Sequence, residues 1–268
     1  MKGNAQQGEE AFVLNHSLGL QPKEVISLVG AGGKTSLMFR LAKELTLEGK
    51  KVVTTTTTKI LEPKRSETPS LFVDLDEGKI KEFVHHSLMR NSHITIARER
   101  IESGKLKGVS PELIVALWDP TQMDYIIIEA DGAAGRPVKA PREHEPVIPV
   151  NTTLLVAILG VDGVEAELSE RNVFQPERVS RITGVPLGGR LTVEAIAKLV
   201  THPEGVIKGV PHSSRIVVFL NKVDIPQGLE RAKRVGQEIL KMRQPRIERV
   251  VLGRLRENPP VVEVLFPA

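Results

Sequence analysis

Residues 25–45 read VISLVGAGGKTSLMFRLAKEL: an apolar strand, a glycine-rich turn and an amphipathic helix in direct succession. Val25 to Val29, apolar but for Ser27, have the character of a strand covered on both faces. Glycines 30, 32 and 33 follow, and Leu37, Leu41 and Leu45 then recur at helical spacing. Glycine tolerates positive φ and close backbone approach, so the N–H groups of Gly30, Ala31, Gly32, Gly33, Lys34, Thr35 and Ser36 can converge, with the helix N-terminus, on phosphate oxygens. Lys34 adds a full positive charge. The Thr35 hydroxyl stands where a Mg2+ bridging two phosphates needs an oxygen ligand. The stretch predicts a cradle for a nucleoside triphosphate, with Mg2+ and GTP or ATP as cofactors. The spacing departs from G-x-x-x-x-G-K-[ST], because the position five before Gly33 is Leu28. The shorter loop, G-x-G-G-K-T, resembles that of Mur-type ligases. The structural alternative is a strand-to-helix turn carrying a surface lysine.

Working outward, short apolar runs alternate with amphipathic stretches, the pattern of a largely parallel sheet with helices on both faces. Strands are expected at 25–29, 51–57, 70–73, 93–97, 125–129, 153–159, 215–220 and 246–252. Helices are expected at 36–47, after an Asp76 cap to Leu88, from Ser110 and Pro111 through 112–118, after a Thr192 cap through 193–200, and beyond Gly228 to Met242. The fold expectation is a single P-loop NTPase-like α/β domain over residues 1–268, with a sheet of about eight strands and an inserted polar loop at 132–149. A second aperiodic excursion spans 98–108.

Two further segments carry chemistry. Tyr125 to Glu129 is an apolar strand followed by Ala130 and Asp131, so Glu129 and Asp131 share one strand face at the end where ligands bind in such sheets. This Walker-B arrangement holds Mg2+ or polarises an attacking water. Asp131 is the first choice for the metal and Glu129 for the catalytic or metal-orienting role, against the alternative of a carboxylate capping a turn. RIVVFLNKVD, residues 215–224, is a buried-strand pattern ending in N-K-x-D. The Asp224 carboxylate can accept both N1–H and N2–H of guanine, which adenine does not offer, while the Lys222 stem covers the base and Asn221 fixes the loop. Strands also end in Asn or Asp turns, so GTP is favoured only narrowly over ATP. Thr54 to Thr58 are first a β-branched strand, and of these Thr57 and Thr58, with Lys59, sit late enough to meet a metal or γ-phosphate.

Composition narrows the class. At 268 residues and 40% hydrophobic content the chain fills a core, and the absence of cysteine removes disulfides and thiol chemistry. The N-terminal residues lack a secretory pattern and no run reaches the ~20 apolar residues of a membrane span, so a cytoplasmic protein without a membrane partner is expected. A formal charge of +4, spread along the chain, suits small anions, and 3% aromatic content leaves little for base stacking, so no nucleic-acid partner is expected.

With these residues in view, the sequence resembles the YqeC family, accessory proteins linked to selenium-dependent molybdenum hydroxylases. The resemblance rests on residues 25–42, on TTTTTK at 54–59, on IIIEADGAAGRPVKAPREHEPVIP at 126–149 and on FLNKVD at 219–224, with the 129–141 block the family-specific part. It implies a nucleotide-dependent step in maturing such a hydroxylase or its cofactor, with the molybdenum cofactor or the apo-hydroxylase as partner. Read physically, 132–149 is a mobile cationic flap in which Arg136, assigned a catalytic role, and Lys139 neutralise the γ-phosphate or bind an anionic substrate. Two alternatives stand beside an NTPase: a kinase or ligase activating a small anionic acceptor, and a nucleotide-switched cofactor carrier.

Overall fold

The computed structural model describes residues 13–268. Helix α1 (Leu14–Leu18) precedes strand β1 (Glu24–Gly30), and helix α2 (Lys34–Leu47) follows the glycine turn directly. Next come β2 (Val52–Thr56), β3 (Lys59–Leu61), β4 (Leu71–Val73), α3 (Glu77–Ser87), β5 (His93–Ala97), β6 (Glu99–Ile101), β7 (Lys105–Lys107), α4 (Pro111–Leu117) and β8 (Tyr125–Glu129). The chain continues through β9 (Val138–Lys139), β10 (Leu154–Gly160), a 3-10 turn at Val161–Gly163, β11 (Val173–Phe174), α5 (Pro176–Thr183) and α6 (Val193–Thr201). It closes with β12 (Arg215–Asn221), α7 (Gly228–Lys241), β13 (Ile247–Gly253) and β14 (Val261–Leu265).

Nine strands form the main sheet in the order β14-β13-β12-β10-β1-β8-β2-β5-β4. Every pairing is parallel except β13 with β14. All eight expected strands lie in this sheet. The ninth, β14, is the antiparallel edge. Strands β1, β2, β5, β8 and β10 are buried at every residue, which is why they read as continuous apolar or threonine runs rather than alternating ones.

Period two divides the sheet between two faces. Ile26, Leu28, Val156 and Phe219 pack with α1 and α2 on one side. On the other, Leu155, Ala157 and Val218 pack with α5, α6 and α7, and Val53, Ile94 and Ile126 pack with α3 and α4. The expected caps form: Asp76 accepts from the Gly78 and Lys79 N–H groups, Ser110 from Leu113 and Thr192 from Ala195. Helix α5, not anticipated, begins at Pro176 and ends at Gly184 in the left-handed region.

The strand order sets the place of the site. Before β8 the chain builds outward from β1 toward β4, and after it toward β13, so the order reverses around β1. Crevices at the carboxyl ends of strands flanking such a reversal are where open α/β sheets hold ligands. The 98–108 excursion is a structured hairpin: β6 and β7 pair antiparallel, and β3 joins them to make a small three-stranded sheet beyond the end of β2.

Candidate functional site

The turn after β1 has a specific steric reason for two of its glycines. Gly30 and Gly32 have φ of 95° and 82°, and a Cβ on either would run into the backbone of β10, at Ile158 O and Gly160 N. The loop is thus pressed against the neighbouring strand. Its first two amides serve that packing: Gly30 N donates to Asp131 Oδ2 at 3.0 Å and Ala31 N to Ile158 O at 2.8 Å. No side chain caps the N-terminus of α2. The amides left free for a ligand are those of the later part of the turn, Gly32 to Ser36, all of which line a cleft of about 1320 Å³.

Lys34 is folded inward. Its Nζ donates to Gly30 O at 2.6 Å and lies 3.1 Å from Asp131 Oδ1 and 3.7 Å from Glu129 Oε1. Burial alone would lower the pKa of its ammonium, but the Asp131 and Glu129 carboxylates outweigh burial and raise it. The Thr35 hydroxyl donates to Glu129 Oε2 at 2.6 Å. Burial drives the Glu129 carboxyl above its ordinary pKa, against the opposing pull of Lys34 and Thr35. A threonine hydroxyl and a carboxylate in contact at the mouth of the glycine turn form a hard-oxygen pair of the kind that can hold Mg2+.

Asp131 and Glu129 have different surroundings. Glu129 lines the cleft, whereas Asp131 lies beneath the loop, 1% exposed, between two lysines. Lys139 Nζ stands 2.9 Å from Asp131 Oδ2 and 3.0 Å from Glu145 Oε2, and donates to Gly132 O at 2.6 Å. Its side chain is fully buried. The mobile flap that composition suggested is thus tied down. β9 pairs with β11, Arg142 sits 4.8 Å over the Phe174 ring, and Lys208 donates to Glu143 O. Arg136 lines the cleft, but its guanidinium donates to Glu170 O at 2.6 Å and to Ala134 O at 3.2 Å. Thr57 also lines the cleft, with its hydroxyl donated to Val147 O at 2.7 Å.

The N-K-x-D segment ends β12 on the same cleft. Asn221 Nδ2 donates to Gly32 O at 2.8 Å and its Oδ1 accepts from Leu255 N at 3.1 Å, tying the glycine turn to the segment just after β13. Lys222, at φ 70°, reaches Asp162 with its Nζ at 2.5 Å. Asp224 is exposed, and among the described residues no ion pair engages it. Asp162, in the 3-10 turn after β10, escaped the sequence reading although an apolar strand ending G-V-D-G offers the same signal as YIIIEAD.

Among the described residues no helix is long and apolar enough to cross a membrane. Two solved structures of FtsY resemble the chain loosely. One, from Mycoplasma mycoides, has a TM-score of 0.37 at 12% identity, covering 93% of this chain and 66% of that one. The other, a signal recognition particle receptor FtsY from Elizabethkingia anophelis, scores 0.32 at 13% identity, covering 95% of this chain and 56% of that one. The chain thus spans two thirds or less of those receptors, and superpositions this loose carry no argument. In sequence the likeness is firm. The YqeC protein of Escherichia coli (strain K12), described as uncharacterized, is 36% identical over 245 residues, covering 91% of this chain and 93% of its own length. The family model described as YqeC protein matches residues 26–177, which hold the cradle, Glu129, Asp131 and Lys139. The chain belongs to the YqeC family.

Proposed function

We propose that the cleft binds a Mg2+ nucleoside triphosphate, with its phosphates on Gly32 to Ser36 and its base against Lys222 and Asp224. The observation that carries this reading is that one continuous cleft joins Lys34, Thr35 and Glu129 to Asn221, Lys222 and Asp224. β12 lies two strands from β1, or ~10 Å at the usual strand spacing, comparable with the span from the phosphates of a nucleotide to its base. Bound Mg2+ would supply charge neutralisation between phosphate oxygens, held by Thr35 and Glu129. With its raised pKa, Glu129 also suits accepting a proton from, or orienting, an attacking water. Asp131 and Lys139 are positioning residues: Asp131 holds Gly30 N and Lys34, and Lys139 holds Asp131. Asn221 holds the loop carbonyl.

The exposed, unpaired Asp224 carboxylate favours guanine. In calorimetric titrations with Mg2+ and GTP, ATP or CTP, we expect GTP to bind most tightly and Asp224→Ala to remove that preference, about tenfold or more for a lost charge-assisted pair. Tighter ATP binding that Asp224→Ala leaves unchanged would reduce N-K-x-D to a turn and favour the kinase or ligase reading.

Arg136, the arginine assigned a catalytic role, is engaged by backbone carbonyls, which takes its guanidinium out of the role of supplying transition-state charge. We therefore assign slow turnover to the isolated protein and stimulation by a partner. The family resemblance makes an apo-hydroxylase or its molybdenum cofactor the partner to try first, in the cytoplasm. Single-turnover hydrolysis as fast without partner as that of a dedicated ATPase would contradict this assignment.

A further inference from the structure

The cleft extends past the site of the terminal phosphate. On the side away from Asp224, its wall is the three-stranded sheet of β3, β7 and β6, which contributes Lys59, Leu61, Lys105 and Lys107, with the edge of Ile60, to the lining. Register puts all four on one face: Lys59 is paired with Lys107 and Leu61 with Lys105, while Ile60 and Leu106 fill the buried face. Two lysines directly opposite each other across an antiparallel pair are unfavourable unless something else uses the charge. Local compensation is slight. Glu99, across from Lys107, approaches it at 3.7 Å with both side chains well exposed, and among the described residues no ion pair engages Lys59 or Lys105. Arg142 and His144 line the same cleft.

We propose that this lysine face binds a second, phosphate-bearing small molecule alongside the nucleotide. Sheet order gives the arrangement its direction. The base end of the cleft lies toward β12, the cradle on β1, the Glu129 carboxylate on the adjacent β8, and β3 continues from β2, the next strand in the sheet. A ligand on Lys59 and Lys105 therefore lies beyond the terminal phosphate, not beside the base. At about 1320 Å³ the cleft also exceeds the ~300–1,000 Å³ usual for a single small-molecule pocket. Ammonium groups on the lobe with a guanidinium in the same cleft suit a phosphate, the arginine by its fork and the lysines as point charges. Exposed Leu61 offers an apolar surface beside them.

The inference takes its geometry from the proposed nucleotide site, and the test separates the two. With the cradle filled by Mg2+ and a non-hydrolysable GTP analogue, glycerol 3-phosphate is titrated calorimetrically into the wild type and into Lys105→Glu/Lys107→Glu. The wild type should bind it, and the double variant should bind it at least about tenfold more weakly while keeping its affinity for the analogue. Absence of binding by the wild type, or equal binding by both, overturns the proposal. If the analogue itself fails to bind, the titration is repeated in Lys34→Ala. Glycerol 3-phosphate binding that the added Lys105→Glu/Lys107→Glu pair abolishes then supports the lysine face without the nucleotide reading, and no binding overturns both.

Discussion

Lys139→Met should destabilise the protein by about 3–5 kcal/mol, the cost of leaving buried charges without their partner. For a chain of this size that corresponds to a fall in Tm of about 5–9 °C. Lys139 is fully buried and bridges Asp131 and Glu145, while donating to the Gly132 carbonyl. Methionine keeps most of the volume and removes the charge. Asp131 would retain Lys34 and Gly30 N, whereas Glu145 would keep only its bond from the Arg142 N–H.

The pH dependence gives the loss a signature. In the wild type, burial raises the Glu145 carboxyl, but the charge and hydrogen bond of Lys139 prevail and hold it below its ordinary 4.5. A depressed carboxylate contributes stability that is present above its unfolded pKa and lost as pH falls through its folded pKa. The difference in Tm between wild type and Lys139→Met should therefore be full near neutrality and shrink as pH falls below about 4.5. A loss under about 1 kcal/mol, or one that does not change with pH, would mean that the Asp131–Lys139–Glu145 chain is not what ties residues 132–149 to the phosphate loop.

The parts of this site that could be read from sequence are those whose chemistry is local. The cradle, YIIIEAD and NKVD each place strand, turn and functional group within about ten residues, so periodicity and turn chemistry sufficed. Lys139 was misjudged for the opposite reason. A lysine in a proline-rich polar loop reads as exposed, and its burial depends on Glu145 in the same loop and on Asp131 at the end of β8. Asp131 changed place with it, since the pattern gives the strand face and not which of two carboxylates lies beneath the loop. The small sheet was illegible because its strands are three residues long, too short for a period of two to appear, and β3 lies far from β6 and β7 in sequence. Helix α5 was legible and overlooked, with Pro176 at its start and Gly184 at its end. At the edge of the sheet, Val261 to Leu265 follow two prolines, which read as a break rather than as the approach to an antiparallel strand.

The second large effect concerns Lys34. In the fold as it stands its ammonium is held by the Gly30 carbonyl and by two carboxylates. A bound triphosphate offers denser negative charge at the same place, and charge-assisted bonds to phosphate contribute about 1.5–3 kcal/mol each. Lys34→Ala should therefore weaken every nucleotide by about 10–100-fold or more, whatever its base. Glu129→Gln separates binding from chemistry. The amide keeps an oxygen that can face Mg2+ beside Thr35 but removes both the charge and the base, so nucleotide should still bind, though more weakly, while turnover falls by about 100-fold or more.

The central claim is that Gly32 to Ser36 form a nucleotide phosphate site, and calorimetric titration of wild type and Lys34→Ala with Mg2+-GTP and Mg2+-ATP tests it most directly. The account predicts one saturable site in the wild type, affinity that falls when Mg2+ is removed, and about 10–100-fold loss or more in a Lys34→Ala protein that still melts cooperatively. Heat-silent titrations with no shift in Tm, or equal affinity in wild type and variant, would contradict it.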